Sequence, residues 1–309
     1  MKKYVFCIPA STDFALATAV LIYSIKKNLK IVDDCDFVVP YNDLSERAME
    51  FIRKSHADVK FEKPKDNSFY KEIPKTIYGP NNHDVYLSFE AFWQDGYEKS
   101  IYLDADMLCI NDFSEIILNN EGISWKYPNL GTVVIGKPYL SENTYRKLIK
   151  TTMKHYRHKP GGDQSAVNHL FGNTRPNRTK SNANVTYIND SYNFQHIGGG
   201  GKGSNELFLS LKDKVKIIHY SGKRKPWGKV WDSDIYDSSS QNCIYYPFML
   251  YNCEAVKIWC KYFEEFKVTH VVCKSPIEKY QQSHDVIIED VPDELRHLHH
   301  KDFHLKTSR

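Results

Sequence analysis

Ser100-Ile101-Tyr102-Leu103-Asp104-Ala105-Asp106 is the stretch on which the fold of this chain turns. Residues 100–103 read as a short buried strand that runs directly into two aspartates one residue apart. Open α/β sheets place their ligand sites beyond the carboxyl ends of the strands. Residues two apart in a regular strand face the same side. Two carboxylates held together repel, and they are costly to desolvate unless a cation neutralises them. A divalent metal clamping a diphosphate resolves that cost. The plain alternative is a pair of aspartates capping a strand end, and D-x-D alone does not choose between them.

Outward from this segment, strand and helix alternate. An apolar strand over 4–8 is broken by Pro9-Ala10-Ser11-Thr12-Asp13, and apolar residues then recur at helical spacing over 15–29. Thr12 and Asp13 stand where a helix N-cap belongs. The pattern continues with a strand at 37–40, a polar helix over 45–54, a strand at 59–61 and a helix over 82–94. Beyond the two aspartates lie a strand at 132–135, a helix over 163–171 opened by Gly161-Gly162, and a strand at 214–218. Residues 198–201 are four glycines, read as a flexible loop that Lys202-Gly203 extends. Such alternation implies a mixed, mostly parallel sheet with helices on both faces. Beyond about 231 the pattern weakens to one amphipathic helix over 254–266 and a polar tail containing His297, His299, His300 and His304. The expected organisation is therefore an α/β unit over 1–230, with a C-terminal helical extension over 231–309 packed on the same unit.

Two further segments carry chemistry. Ile218-His219-Tyr220-Ser221-Gly222-Lys223-Arg224-Lys225-Pro226-Trp227 again brings a strand to a polar end. His219 offers a neutral imidazole to a metal, Gly222 permits close backbone approach to a phosphate, and Lys225 supplies a point charge. Mixed carboxylate and imidazole ligation favours Mn²⁺ over Mg²⁺. A basic surface loop is the bland alternative. In Gly161-Gly162-Asp163-Gln164, an acid and an amide sit at a helix N-terminus, where they can bind sugar hydroxyls or where Asp163 can serve as a simple cap.

Composition narrows the class. The 309 residues carry 42 Lys and Arg against 38 Asp and Glu, a net charge of +4 that offers no footprint for nucleic acid. Aromatic residues reach 14%, with 21 Tyr and 16 Phe; such rings fill cores and also suit sugars and nucleobases. The 7 cysteines show no C-x-x-C spacing, so buried reduced thiols are expected rather than a zinc site or disulfides. No leader layout and no long apolar run is found, which places the chain as a cytoplasmic protein without a transmembrane segment. The sequons at Asn177, Asn184 and Asn189 are then chance matches.

Six pieces stand together in order: residues 8–14, Leu103-Asp104-Ala105-Asp106, Asn129-Leu130-Gly131, Gly161-Gly162-Asp163-Gln164, Tyr192-Asn193, and residues 219–227. Over about three quarters of its length the chain resembles the glycogenin-like members of glycosyltransferase family 8, retaining enzymes of the Rossmann-like GT-A fold. The resemblance implies a UDP-sugar donor and a glycan or protein hydroxyl as acceptor. It implies that Ile8, Ala10, Ser11 and Phe14 cradle the uridine, with Leu103 and Ala105 among the nucleotide contacts. Asp104, Asp106 and His219 would hold Mn²⁺ (or Mg²⁺), Gly222 and Lys225 would touch the phosphates, and Asn129, Asp163 and Gln164 would surround the transferred sugar. A homodimer is also compatible with it. Two departures stand out. Ser88 occupies a position where the family carries Lys or Arg. The stretch 194–218 lacks the tyrosine that self-glucosylating members use as their acceptor, which weighs against a self-priming role. A non-catalytic nucleotide-sugar binder is the other alternative. A haloacid-dehalogenase-type phosphatase also starts from D-x-D, but it leaves 219–227 without a role.

Overall fold

The computed structural model describes residues 2–73, 84–155, 162–172, 184–195, 202–221, 225–227 and 254–270. Among them are strands β1 (Tyr4–Cys7), β2 (Cys35–Pro40), β3 (Lys60–Glu62), β4 (Lys99–Leu103), β5 (Met107–Cys109), β6 (Ile123–Trp125), β7 (Thr132–Gly136), β8 (Val185–Tyr187), β9 (Phe194–Gln195) and β10 (Ile217–His219). The α-helices are α1 (Ala15–Asn28), α2 (Glu46–Arg53), α3 (Asn67–Glu72), α4 (Ser114–Leu118), α5 (Glu142–His155), α6 (Gly162–Phe171), α7 (Lys202–Leu211) and α8 (Glu254–His270).

Seven strands form the main sheet in the order β3-β2-β1-β4-β7-β6-β8. The first four are parallel; β7 runs antiparallel to β4 and β6, and β8 is parallel to β6. A second sheet, β5-β10-β9, stands beyond the end of β4. The mixed, mostly parallel sheet expected from the alternation is thus present.

Strand periodicity sorts the core into two layers. Phe6, Ile8, Ile101, Leu103 and Val134 point to the side covered by α1 and α2. Cys7, Tyr102, Val133 and Ile135 point to the other, where the 3₁₀ helix Asp84–Phe92 packs with α5 and α6. A third cluster joins α1 to the small sheet and to α7 and α8, with Leu16, Val20, Ile218, Phe208 and Trp259 in contact. Four cysteines, Cys7, Cys35, Cys109 and Cys260, are buried free thiols, as expected. No helix of the described residues is long and apolar enough to cross a membrane.

Several expectations are corrected. Thr12 and Asp13 do not cap α1: Thr12–Phe14 forms a 3₁₀ turn, and Phe14 precedes the helix without a side-chain cap bond. The Thr12 hydroxyl instead accepts the Ser45 N–H at 3.3 Å, tying the turn to the start of α2. The helix expected over 82–94 is a 3₁₀ helix over Asp84–Phe92. Lys202-Gly203 does not extend a loop but begins α7. Phe208, fully buried against Phe194, anchors that helix, so packing overrides the local penalty of Gly203. The strand expected at 214–218 narrows to β10, because the Lys214 and Val215 N–H groups bond back to Leu211 in the turn after α7. The glycines 198–201, the His-rich tail and the boundary near 231 lie outside the described residues.

Phe6 is fully buried, stacked on Phe37 with centroids 5.4 Å apart and edge-on to Phe113 at 6.1 Å. Phe6→Ala should lower stability by about 3–5 kcal/mol in urea denaturation; a loss below ~1 kcal/mol would mean that this layer is not packed as described.

Candidate active site

The main sheet and the small sheet meet at the aspartate pair. As β4 ends, the Asp104 N–H donates to the Gly131 carbonyl at 2.9 Å, fixing it to the loop before β7. Two residues on, the Asp106 carbonyl accepts the Tyr220 N–H at 2.9 Å, fixing it to the end of β10. β5 pairs antiparallel with β10 and places Met107 opposite His219. Cross-strand register therefore delivers the imidazole beside the second aspartate.

His219 Nε2 lies 3.2 Å from Asp106 Oδ1 and 3.5 Å from Asp104 Oδ2. The three side chains each offer a ligand atom within 4.8 Å of the others. Adjacent ligands on an octahedral ion with bonds of about 2.1 Å are roughly 3 Å apart, so the set needs little adjustment to close on a divalent cation. The loop at Gly131 makes room for the ring. A Cβ there would stand 2.6 Å from His219 Nδ1 and 2.8 Å from the Met107 methyl.

A cavity of about 800 Å³ opens in front of this cluster. Ala10, Ser11, Phe14, Asn129, Asp163 and Gln164 all line it. Gly162, at φ 71°, holds a backbone conformation that favours glycine and starts α6. Asp163 Oδ1 then accepts the Gln164 N–H at 2.8 Å. Asn129 Oδ1 accepts the Gly131 N–H at 2.8 Å, which leaves its amide nitrogen for the cavity.

Charge in the cavity is lopsided. Four carboxylates line it (Asp84, Asp104, Asp106 and Asp163) against the Lys225 ammonium and His219. Lys225 sits on Asp106 Oδ2 and donates to the Tyr220 carbonyl at 2.7 Å. Burial alone would raise the Asp106 carboxyl, but His219 and Lys225 together hold it well below the usual carboxylate range. Burial raises Asp104. Burial, reinforced by the charge of Asp104, pushes Asp163 up to about 7. Burial disfavours protonated His219, yet the two aspartates more than compensate and raise it. An anionic diphosphate would meet net repulsion here unless a divalent cation came with it. The donor set and the charge balance both fit such an ion.

The family model of Glycosyl transferase family 8 matches residues 6–122 and 116–230. The chain belongs to glycosyltransferase family 8. It is 29% identical over 162 residues to a glycogenin of Komagataella phaffii, covering 48% of this chain and 38% of that protein. It is 27% identical over 149 residues to the glycosyltransferase GlyE of Streptococcus pneumoniae, covering 43% and 34%. The aligned segments thus span little more than a third of these relatives. Among solved structures, an active-site mutant of LgtC superposes with a TM-score of 0.58 at 15% identity, covering 94% of this chain and 99% of that one. The GlyE apo-form gives 0.57 at 16% identity, covering 92% and 64%. The fold is the GT-A fold.

In this family 8 chain, eleven of the residues singled out from sequence line one cavity: Ala10, Ser11, Phe14, Asp104, Ala105, Asp106, Asn129, Asp163, Gln164, His219 and Lys225. Ile8 and Leu103 are not on its wall. Both side chains are fully buried on the α1–α2 side, as strand alternation requires. Gly222 lies outside the described residues. Ser88 is buried, its hydroxyl bonded to the Val85 carbonyl at 3.1 Å and to Asp163. Lys99 points away, its ammonium bonded to the Ile117 and Leu118 carbonyls at the end of α4.

Three residues of the site carry no individual role in the sequence reading. Tyr102 donates its hydroxyl to Asp104 Oδ1; its place two residues before an aspartate in a strand was the available signal. Asp84 lines the cavity and accepts from Asn42 at 2.8 Å. Asn193, fully buried, holds His219 Nδ1 at 2.9 Å through its Oδ1 and donates from Nδ2 to Asn129 Oδ1 at 2.7 Å.

The Asp163 shift has a measurable consequence. Its folded pKa lies above the unfolded value, so the native state holds a proton that the unfolded chain releases between about pH 4 and pH 7. Stability from this group falls as pH rises through that window and is flat above it. Asp163→Asn should therefore be more stable than wild type at pH 8, by on the order of 3 kcal/mol without donor or metal, with the gap shrinking at pH 5. Urea denaturation at the two pH values checks this, and an equal gap at both would rule out the buried carboxyl as its source.

Proposed function

We propose that this chain is a retaining hexosyltransferase that moves a hexose from a UDP-sugar, UDP-glucose or a related UDP-hexose, to a hydroxyl of a glycan acceptor, with Mn²⁺ as the favoured ion. The observation that carries this reading is the convergence of Asp104, Asp106 and His219 on one point of a cavity that Asn129, Asp163 and Gln164 also line. Membership of family 8 and the likeness to the galactosyltransferase LgtC, solved with donor and acceptor sugar analogues, support it.

The roles follow from position. Ala10, Ser11 and Phe14 receive the nucleoside, with the Phe14 ring braced edge-on by Trp227 at 5.8 Å. Asp104, Asp106 and His219 would hold the divalent ion, which when bound supplies positive charge against the diphosphate leaving group. Lys225 uses two of its three donors on Asp106 and Tyr220, which leaves one N–H for a phosphate oxygen. The Asn129 amide nitrogen, the Asp163 carboxyl and the Gln164 amide orient the sugar hydroxyls, a positioning effect that sets the rate.

In the reaction the bond from the anomeric carbon to the UDP oxygen breaks, and a bond from that carbon to the acceptor oxygen forms. The acceptor proton passes to the departing phosphate. A double displacement needs a carboxylate nucleophile against the anomeric carbon. Gln164, placed there by the family resemblance, is an amide and a poor one, so attack from the face that UDP leaves is favoured.

An exposed tyrosine pair close in sequence to Asn129 bears on the acceptor. Tyr127, two residues before Asn129, is 44% exposed and meets Tyr187, 42% exposed, at a centroid distance of 5.8 Å and an angle of 68°. Trp125 backs Tyr187 at 5.3 Å. Exposed ring faces of this kind suit the apolar faces of pyranoses, which favours a glycan over a protein side chain.

UDP release from a panel of UDP-sugars with Mn²⁺ should single out one donor, and Asp104→Asn or Asp106→Asn should each cut that rate on the order of 100-fold or more. Rates untouched by either variant and by chelation would exclude the metal-assisted transferase. Tyr127→Ala should raise KM for a glycan acceptor about tenfold while acceptor-free UDP release stays at the wild-type rate; an unchanged acceptor KM would remove the tyrosines from the acceptor site.

A further inference from the structure

We infer that Asn193 is a positioning residue that fixes the tautomer of His219 and couples the metal site to the sugar pocket through Asn129. The assignment follows from one unambiguous donor. The Gly131 backbone N–H can only donate, so the Asn129 atom 2.8 Å from it is the carbonyl oxygen. That same oxygen lies 2.7 Å from an atom of the Asn193 amide, which must then be the nitrogen. The other end of that amide is therefore its oxygen, and it faces His219 Nδ1 at 2.9 Å. Nδ1 must carry a hydrogen, so in the neutral ring Nε2 is the nitrogen that faces Asp104 and Asp106. A proton or a cation has to stand between Nε2 and those two carboxylates; because Asn193 holds the Nδ1–H, a metal that replaces the proton meets a ring already oriented for it.

Asn193 suits this role. It is fully buried and immediately precedes β9, which pairs parallel with β10, the strand that carries His219. The neighbouring Tyr192 carbonyl accepts from Thr132 on β7 at 2.7 Å, and the Asn193 carbonyl accepts from Lys126 at 3.3 Å. Both its position and its amide orientation are thus set by the main sheet. Because Asn129 serves the relay with its oxygen and the cavity with its nitrogen, a hydroxyl that engages the nitrogen also holds the oxygen in place for Asn193. Donor sugar and metal ion then favour each other's binding, a coupling that is reciprocal by linkage.

The inference rests on Asp104, Asp106 and His219 forming a metal site, and the test separates the two. Mn²⁺ affinity of the full chain is measured by electron paramagnetic resonance, and the His219 tautomer by imidazole ¹⁵N shifts of the metal-free protein at alkaline pH. In wild type the shifts should show a hydrogen on Nδ1; one on Nε2 overturns the relay without any variant. Asn193→Ala should weaken Mn²⁺ binding by about 10–100-fold. Asn193→Asp still accepts the Nδ1–H but cannot donate to Asn129. It should keep Mn²⁺ affinity within about threefold of wild type while losing the tighter Mn²⁺ binding that UDP-hexose confers over UDP. Asp106→Asn is the control. If it leaves Mn²⁺ affinity unchanged, the metal site itself is wrong. If it abolishes binding while Asn193→Ala does not weaken it, the metal site stands and the relay falls.

Discussion

The cost of crowding negative charge at the end of β4 shapes this molecule. A buried carboxylate can be satisfied by protein donors, and Glu90 shows how. It is 2% exposed and accepts from Tyr145 at 2.9 Å, Tyr70 at 3.3 Å and the Lys65 N–H at 3.2 Å. The cavity acids are treated differently. Asp104 has one tyrosine hydroxyl and His219 at 3.5 Å, Asp163 a serine and backbone N–H groups, and of these three only Asp106 also meets the Lys225 ammonium directly. The fold leaves these groups under-compensated where a ligand must enter, a usual mark of a site whose missing charge comes from outside.

Topology makes that crowding feasible. The parallel half of the sheet brings β1 and β4 to a common edge, so the turn after β1 and the aspartates after β4 open into one cavity. Reversal at β7 returns the chain to the same edge and places Asn129 and Gly131 beside Asp104. The small sheet then contributes His219 from a distant part of the sequence. Three elements far apart in the chain converge because strand register fixes each of them to within a residue.

Much of this was legible from the residues. Strands over 4–8, 37–40, 59–61, 100–103 and 132–135 announced themselves as apolar runs, and D-x-D, His219 and Asp163-Gln164 fell into one cavity. The failures have physical causes. β6 and β8 have three residues each, too few for a periodicity, and are defined by their neighbours. α5 is amphipathic, but its mostly polar sequence gives a weaker signal than the apolar strands around it. Thr12 has a capping residue's chemistry but bonds to α2 instead. Asn193 was noticed only as half of a short motif, since an amide relay depends on the direction of each dipole, which composition does not encode. The Ile8 and Leu103 side chains turn into the core, so any contact these two residues make with a ligand is through the backbone.

The family match stops at residue 230, but the architecture does not. α8 buries Ala255, Val256, Trp259 and Phe263 against α1, α7 and the small sheet that presents His219. Trp259 rests on Trp227 at 5.5 Å, the same indole that braces Phe14. Asn28 joins the Cys109 carbonyl at the end of β5 to the Tyr262 hydroxyl on α8. A helix outside the recognisable sequence thus backs the part of the cavity wall that Phe14 forms. Its residues are free to drift in evolution only as far as their combined shape still props up that wall.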